Sequence, residues 1–152
     1  MIDETRRLPD AVLFACNLNR VRSPMAEALL KRLLGDRVFV DSCGLRGPAD
    51  GYDETEIDPL AVAVMAEVGC DVSGHEAKTF EDLEDDSYDL VISLTPEAHH
   101  RAAETARGRA VRMEYWPVAD PTLCEGSREA RLDAYRQVRD ALAARIAERF
   151  GS

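Results

Sequence analysis

Residues 12–24 have the sequence VLFACNLNRVRSP, and this stretch decides the fold. It begins with a continuous apolar run, as expected of a buried parallel strand that ends at Cys16. A short polar turn follows, and Ser23 with Pro24 has the residue types of a helix N-cap and a first helical position. The stretch therefore predicts a strand, a tight turn and a helix, with Cys16 at the strand end and Arg22 at the helix start.

This turn is suited to a dianionic phosphate group. Its backbone N–H groups can point inward, the helix N-terminus adds partial positive charge, and the Arg22 guanidinium can bind two phosphate oxygens. The same field stabilises a thiolate, so Cys16 is the candidate nucleophile, and Arg20 adds positive charge to the turn. The alternative is that Cys16 is a small buried residue at a strand end, as free cysteine often is. The candidate phosphate-binding residues are Asn17, Leu18, Asn19, Arg20, Val21, Arg22 and Ser23.

The rest of the chain alternates strands with helices. Strands are predicted over 11–15, 38–42, 88–94 and 110–116, helices over 23–35, 58–69, 96–107 and 127–149, a loop over 45–57 and a short helical turn over 79–84. The alternation predicts one α/β domain over residues 11–152, with a four-stranded parallel sheet covered by helices on both faces and the phosphate loop between the first strand and first helix. Residues 1–10 are predicted to be a loosely ordered leader. Ligands bind beyond the carboxyl ends of such strands, where Cys16 lies.

The residue spacing along two helices predicts which of their faces are exposed or buried. On the first helix, Glu27 and Lys31 are spaced to pair with each other on the exposed side. On the last helix, the predicted buried stripe consists of Leu132, Tyr135, Val138, Leu142 and Ile146.

The composition narrows the possible partners. The chain has 152 residues and a formal net charge of −10 at pH 7, which argues against nucleic acid and anionic membrane surfaces. The cysteines form no CxxC pair and no cluster, so no metal site and no cofactor are predicted. Reduced thiols, with no membrane-spanning or secretory segment, favour a cytoplasmic location. The sequence indicates no oligomeric state.

Residues 16–24 resemble the phosphate loop of low-molecular-weight protein tyrosine phosphatases, which place Cys-x5-Arg-Ser-Pro directly after the first strand. The resemblance implies a cysteine-dependent phosphomonoester hydrolase, acting on phosphotyrosine in proteins through a phosphocysteine intermediate. It also implies that Asn19, Ser42 and His75 form hydrogen bonds behind the loop and hold its shape. The resemblance extends in order over about residues 11–150, including Val40–Gly44, Glu67–Asp71 with His75, Tyr88–Ile92 and Trp116–Pro121.

Asp120 is the candidate general acid. It follows the predicted fourth strand, and the segment around it resembles the acid-bearing segment of the family. A carboxylic acid beside the phosphate can protonate the departing oxygen and then act as the base for water. The alternative is an ordinary turn, which an Asp-Pro dipeptide commonly starts.

The chain departs from the family pattern around the predicted pocket. Leu18 stands where the family usually has glycine, and Val21 stands where it often has a second cysteine. The aromatic wall that grips a phosphotyrosine ring is altered, and Tyr52 is a candidate to replace part of it. The residues that differ there are Leu45, Arg46, Thr122 and Leu123.

Two other functions compete with the phosphatase. Arsenate reductases share this fold and this cysteine loop, but residues 95–107 lack the cysteine pair of the thioredoxin-coupled type. Cys43 follows Ser42 on a strand, so its side chain is predicted to face away from the loop, which leaves a reductase that uses an external thiol. The other competitor is a non-catalytic phosphate-binding module. The predicted partners are a phosphorylated protein or a small aryl phosphate, with inorganic phosphate or sulfate as a product-like ligand.

Overall fold

The computed structural model describes residues 8–83 and 87–151. The strands are β1 (Ala11–Cys16), β2 (Phe39–Gly44), β3 (Leu90–Ser93) and β4 (Arg112–Tyr115), which form one parallel sheet in the order β2-β1-β3-β4. The helices are α1 (Arg22–Leu34), α2 (Pro59–Ala66), α3 (Pro96–Ala106) and α4 (Arg128–Phe150). Short 3-10 turns lie at Gly35–Arg37, Pro48–Asp50, Phe80–Asp82 and Pro121–Leu123. The predicted four-stranded parallel sheet in one α/β domain is confirmed.

Some predicted features lie at the margins of the described residues. Residues 1–7 of the predicted leader, residue 84 of the predicted turn and residue 152 lie outside them. Leu8 packs against the main core, and the backbone N–H of Asp10 donates to Asp89 Oδ2 at 2.9 Å.

The sheet is covered on both faces, as predicted, because side chains alternate along its central strand. Val12 and Phe14 pack into the larger core with α1, α2 and α4. Leu13 and Ala15 pack into a smaller core on the opposite face with α3. The predicted α4 stripe is confirmed, since Leu132, Tyr135, Val138, Leu142 and Ile146 are all buried in the larger core.

The start of α1 differs from the prediction. Ser23 does not cap the helix, which begins at Arg22 with Val21 in the cap position and no side-chain cap hydrogen bond. The physical reason is that the Ser23 hydroxyl is engaged elsewhere, 2.8 Å from the sulfur of Cys16. The helix end that faces the turn therefore keeps its first N–H groups uncapped, as an anion site requires.

The carboxyl ends of the strands meet at one edge of the sheet. Cys16 pairs in register with Gly44, and Ser93 pairs with Ala15 and Tyr115. Strand β2 runs past the predicted end at Ser42 to Gly44, because Leu45 continues the pairing by donating to the Cys16 carbonyl at 3.0 Å. This edge lies beside the turn that follows β1.

None of the helices within residues 8–83 and 87–151 has the length and apolar composition of a membrane-spanning helix.

Candidate active site

Residues 16–22, here called the cradle, wrap around a cavity of about 180 Å³ at the carboxyl edge of the sheet. All the predicted phosphate-binding residues except Ser23 line this cavity, together with Arg46, Tyr52, Asp58, Asp120 and Thr122. Cys16 is 2% exposed and lies at its base. The structure therefore brings the candidate nucleophile, the arginine and the candidate acid into one cavity.

The cradle offers backbone donors to this cavity. In the part of the chain that the structure describes, no protein acceptor takes the backbone N–H of Leu18, Arg20, Val21 or Arg22. The Asn19 N–H lies 3.3 Å from Cys16 Sγ and donates to it. A ring of such amides next to a helix N-terminus favours an oxyanion.

The sulfur of Cys16 is held from behind by a buried polar chain. Ser23 Oγ lies 2.8 Å from Cys16 Sγ, and Asn19 Nδ2 donates to the same Ser23 oxygen at 2.8 Å. Asn19 Nδ2 also donates to Ser42 Oγ at 2.9 Å. Because the Ser23 oxygen accepts from Asn19, its own proton is left for another acceptor, either the sulfur at 2.8 Å or the more distant Cys43 carbonyl at 3.4 Å.

Asn19 is the residue that shapes the cradle. It is the non-glycine residue with positive φ (58°) among those described, a conformation that asparagine tolerates better than most residues. Its side-chain Oδ1 accepts from the backbone N–H of Lys78 at 3.0 Å and from His75 Nε2 at 3.1 Å. Burial lowers the pKa of His75, which favours its neutral form. The predicted group of Asn19, Ser42 and His75 is thus brought together directly behind the loop.

Two supporting residues were missed by the sequence analysis. Glu27, predicted to pair with Lys31, does so at 2.5 Å, but its other oxygen also accepts from Ser42 Oγ at 2.5 Å. Its position four residues after Ser23 places both on one helix face, which is the signal that could have indicated this role. Gly44 is required for a different reason, because a Cβ there would lie 2.8 Å from the Leu18 carbonyl carbon.

Arg22 and Asp120 meet at the mouth of the cavity. Arg22 Nη1 donates to the Val118 carbonyl at 2.9 Å, and its Nη2 lies 3.9 Å from Asp120 Oδ2. The Asp120 Oδ1 accepts from Thr122 Oγ1 at 2.6 Å and from the Thr122 N–H at 3.0 Å. The side chain of Asp120 is 32% exposed, against 11% for Arg22. Arg22 is therefore positioned by the segment that carries Val118 and Asp120. The second oxygen of Asp120 has no hydrogen bond in the described part of the chain.

Arg20 is placed differently from Arg22. Its Nε donates to the Glu56 carbonyl at 2.7 Å, and its Nη1 lies 3.3 Å from Glu54 Oε2. The expected contribution of Arg20 to the positive field of the turn is therefore offset by an ion pair on the neighbouring segment.

The other cysteines lie apart from this arrangement. Cys43 packs with Ala15 in the smaller core, on the opposite face from Cys16, and burial raises the pKa of its thiol. Cys70 is buried in the larger core, and Cys124 is partly exposed near the start of α4. Within residues 8–83 and 87–151, no group of three or more His, Cys, Asp or Glu side chains could hold a metal ion.

A profile of the family described as low molecular weight phosphotyrosine protein phosphatase matches residues 11–150. The chain belongs to this family. The solved structure of the low molecular weight protein tyrosine phosphatase from T. tengcongensis is 26% identical and has a TM-score of 0.72, covering 91% of this chain and 95% of that chain.

Two curated relatives of this chain are named arsenate reductases, although the family is described as phosphatases. The glutaredoxin arsenate reductase of Synechocystis sp. is 33% identical over 135 residues, which are 89% of this chain and 92% of that protein. The arsenate reductase of Bacillus subtilis is 32% identical over 137 residues, which are 90% of this chain and 92% of that protein. The family therefore supports cysteine-dependent chemistry on this fold, with two reactions among its named members.

Proposed function

We propose that the chain is a phosphomonoester hydrolase that acts on protein phosphotyrosine or a small aryl phosphate through a phosphocysteine intermediate. One observation carries the proposal, namely that Cys16 Sγ lies 2.8 Å from Ser23 Oγ at the base of a cavity that Arg22 and Asp120 also line. A sulfur held by donors beneath an anion site is the arrangement that in-line attack on phosphorus requires.

The first step transfers the phosphoryl group to the enzyme. Cys16 Sγ attacks phosphorus as a thiolate, an S–P bond forms, and the P–O bond to the leaving group breaks. Asp120 gives its proton to the departing oxygen. Arg22 and the free cradle amides bind the equatorial oxygens, whose negative charge persists throughout.

The second step releases inorganic phosphate. Asp120, now a carboxylate, accepts a proton from water as the water oxygen attacks phosphorus. The S–P bond breaks, and the Ser23 hydroxyl donates to the sulfur as its negative charge returns. The side chains of Asn19, Ser42 and His75 hold the cradle in place and touch neither reacting atom, whereas the backbone N–H of Asn19 donates to the sulfur. The reaction needs Cys16 reduced, which is consistent with a cytoplasmic location.

Product-like ligands are part of the proposal. A solved arsenate reductase described as being in the phosphate binding state is 31% identical, has a TM-score of 0.66 and covers 91% of this chain and 94% of that chain. We expect inorganic phosphate, and sulfate as its analogue, to bind this cavity as well.

Arsenate reduction is the second candidate, because the names of the curated relatives favour it. Arsenate has the shape and charge of phosphate, so Cys16 could form an S–As bond in the same cavity. Two thiols must then be oxidised to a disulfide as As(V) becomes As(III). Cys43 is buried on the far face of the sheet, and α3 carries no cysteine. The reductants are therefore expected to be external thiols.

One experiment separates these candidates. Purified protein is assayed, with chelator present, against a phosphotyrosine peptide, an aryl phosphate and arsenate with glutathione and glutaredoxin. Cys16→Ser is the control, since it removes the thiolate and preserves the cavity. We expect phosphate release that the control lacks, while the control still binds inorganic phosphate.

Each other outcome selects a different function. Thiol-dependent loss of arsenate without phosphate release would establish the reductase. Tight phosphate binding with neither reaction would indicate a binding module. Phosphate release by Cys16→Ser at the wild-type rate would exclude covalent catalysis at Cys16.

A further inference from the structure

Residues 45–58, here called the strap, pass across the cradle and bring Tyr52 to the cavity. The first end of the strap is tied to the cradle, because the N–H groups of Leu45 and Arg46 donate to the Asn17 carbonyl at 2.8 and 2.9 Å. The other end is tied as well, by the Asp58 N–H, which donates to the Arg20 carbonyl at 3.0 Å.

The middle of the strap has little packing to hold it. Residues 48–54 are exposed, and Tyr52 is 45% exposed. The N–H of Tyr52 donates to the Gly47 carbonyl at 3.1 Å, which is a bond within the strap itself. The Ala77 N–H donates to the Thr55 carbonyl at 2.7 Å and ties the strap to the neighbouring segment. Beyond Tyr52, the strap is also held by Ile57, which is buried in the larger core, and by a bridge between Glu56 and Glu76. The position of Tyr52 relative to the cradle therefore depends on the contacts at the two ends of the exposed residues.

Arg20 supplies the side-chain anchor from the cradle. Its Nε donates to the Glu56 carbonyl at 2.7 Å, and its Nη1 faces Glu54 Oε2 at 3.3 Å. The Arg20 side chain is 23% exposed and that of Glu54 is 82% exposed. An exposed ion pair contributes little by itself, so the bond to the Glu56 backbone is the stronger part of this contact. The two bonds leave from different nitrogens of one planar guanidinium, which matches arginine, because a lysine ammonium donates all its bonds from a single atom.

We propose that Arg20 determines substrate specificity by fastening the strap to the cradle, so that Tyr52 stands as the wall for an aromatic leaving group. The Arg20 guanidinium takes no part in binding the oxyanion, which the Arg22 guanidinium and the backbone amides of the cradle bind. The inference rests on the proposed function, since it names the side of the cavity that receives the ring. It also explains how a chain with Thr122 and Leu123 in the acid segment still offers an aromatic surface beside the phosphate.

The test compares Arg20→Met with Arg20→Lys. Methionine keeps a long apolar stem and loses the anchor, whereas lysine keeps the charge and loses the paired bonds. Three quantities are measured for each variant: kcat/KM for a phosphotyrosine peptide, the inhibition constant of inorganic phosphate, and hydrogen exchange of the strap backbone. Arg46→Met is the matched control, because it removes a cation from the same cavity and leaves the Arg20 anchor intact.

We expect kcat/KM for the peptide to fall about tenfold in both Arg20 variants, mainly through KM, because ground-state and transition-state contacts to the ring are lost together. The inhibition constant of phosphate should change less than about twofold, since Arg22 and the amides are untouched. Hydrogen exchange of the backbone amides of residues 50–57 should be faster than in the wild type in both Arg20 variants and unchanged in Arg46→Met.

Three results would overturn the inference. The first is phosphate binding weakened by about tenfold or more in Arg20→Met, which would mean that the wild-type Arg20 guanidinium binds the anion. The second is unchanged hydrogen exchange of the strap in Arg20→Met, and the third is wild-type peptide kinetics in Arg20→Lys. Failure of the proposed function is distinguishable, because then the wild type itself releases no phosphate from any ester. Exchange and phosphate binding, measured directly by calorimetry, would in that case still decide whether Arg20 is an anchor or an anion ligand.

Discussion

Ser23 Oγ lies 2.8 Å from Cys16 Sγ, and the Ser23 oxygen is at the same time the acceptor of a hydrogen bond from Asn19 Nδ2 at 2.8 Å. A hydroxyl that accepts from an amide keeps its single proton for another partner, and the sulfur is nearer to Ser23 Oγ than the Cys43 carbonyl, which lies at 3.4 Å. The Ser42 hydroxyl likewise accepts one hydrogen bond and donates another: it accepts from Asn19 Nδ2 and donates to the Glu27 carboxylate. The polar chain therefore runs from the Glu27 carboxyl group through Ser42, Asn19 and Ser23 to the Cys16 sulfur.

Replacement of Ser23 is expected to slow the second chemical step. In Ser23→Ala the sulfur loses its hydroxyl donor, and we expect hydrolysis of the phosphocysteine to slow by about 10²–10³, the cost of one lost donor at a developing anion. Rapid-mixing measurements with an activated aryl phosphate should show a burst of the leaving group and a slow steady state. Ser93→Ala is the matched control, because Ser93 is equally buried and its Oγ has no partner in the described part of the chain. A loss of the burst in Ser23→Ala would place the defect in the first step.

Gly44 gives a stability prediction. In Gly44→Ala the new Cβ would lie 2.8 Å from the Leu18 carbonyl carbon and 2.9 Å from the Asn19 nitrogen, both of them backbone atoms of the cradle. We expect the free energy of unfolding to fall by about 1–3 kcal/mol, as for other overpacked sites. Phosphate affinity should fall as well. Urea unfolding and calorimetry measure the two quantities.

Gly74→Ala is the control for Gly44→Ala, because a Cβ at Gly74 would meet no atom within 4 Å. We expect that substitution to be neutral or to stabilise the fold by up to about 1 kcal/mol through the unfolded chain. Equal stability of the two variants would show that the cradle can shift away from β2.

The sequence predicted the strand, cradle and helix well because those signals are local. An apolar run, a polar turn and a helix start lie within residues 12–24, and no distant residue is needed to interpret them. The roles of Arg20 and Arg22 could not be separated in the same way. Each guanidinium is directed by partners far along the chain, Glu54 and Glu56 for Arg20 and Val118 for Arg22.

The predicted cap at Ser23 was wrong for a related reason. Ser23 is a favourable cap residue in isolation, but a sulfur at the end of β1 and an asparagine with positive φ compete for its hydroxyl. Local propensity was overridden by tertiary contacts at the site where chemistry is expected, which is where such conflicts concentrate.

Glu67 gives a pH dependence of stability. It follows α2 and accepts hydrogen bonds from Arg136 and Arg139 of α4, and these lower its pKa from 4.5 to about 2, with Arg136 the larger cause. The unfolded chain therefore binds more protons than the folded chain between these values. The stabilising contribution should be complete above about pH 4.5 and should be lost as the pH falls towards about 2.

Glu67→Gln tests this dependence. We expect the difference in free energy of unfolding between the wild type and Glu67→Gln to be constant near neutral pH, to shrink below about pH 4.5 and to decrease with salt, because the carboxylate is exposed. Glu148→Gln serves as the control, since Glu148 is exposed and its carboxylate has no hydrogen bond or ion pair within the described residues. If the difference in free energy of unfolding between the wild type and Glu67→Gln grew as the pH fell, the lowered pKa assigned to Glu67 would be contradicted.

Asp120 gives the sharpest test of the chemistry, because two carboxylates line the same cavity. Asp58 has both oxygens engaged, one with the Leu60 N–H at 2.8 Å and the other with the Tyr135 hydroxyl at 2.9 Å. Asp120 has one oxygen bonded to Thr122 and the other near Arg22. We therefore expect Asp120, and not Asp58, to be the carboxyl group that exchanges a proton with a bound ester.

Asp120→Asn should slow esters with poor leaving groups far more than activated ones. Loss of a general acid typically costs about 10²–10⁴ in rate, but an activated aryl oxide leaves without a proton and escapes most of that cost. The measurement is kcat/KM for a series of aryl phosphates with leaving groups of increasing basicity, which should give a steep dependence in Asp120→Asn and a shallow one in the wild type. Asp58→Asn makes the same charge change in the same cavity and should keep the shallow dependence, because Asp58 gives up no proton. A steep dependence in Asp58→Asn with a shallow one in Asp120→Asn would transfer the acid role to Asp58, and equal slopes in all three proteins would mean that neither carboxyl group protonates the leaving oxygen.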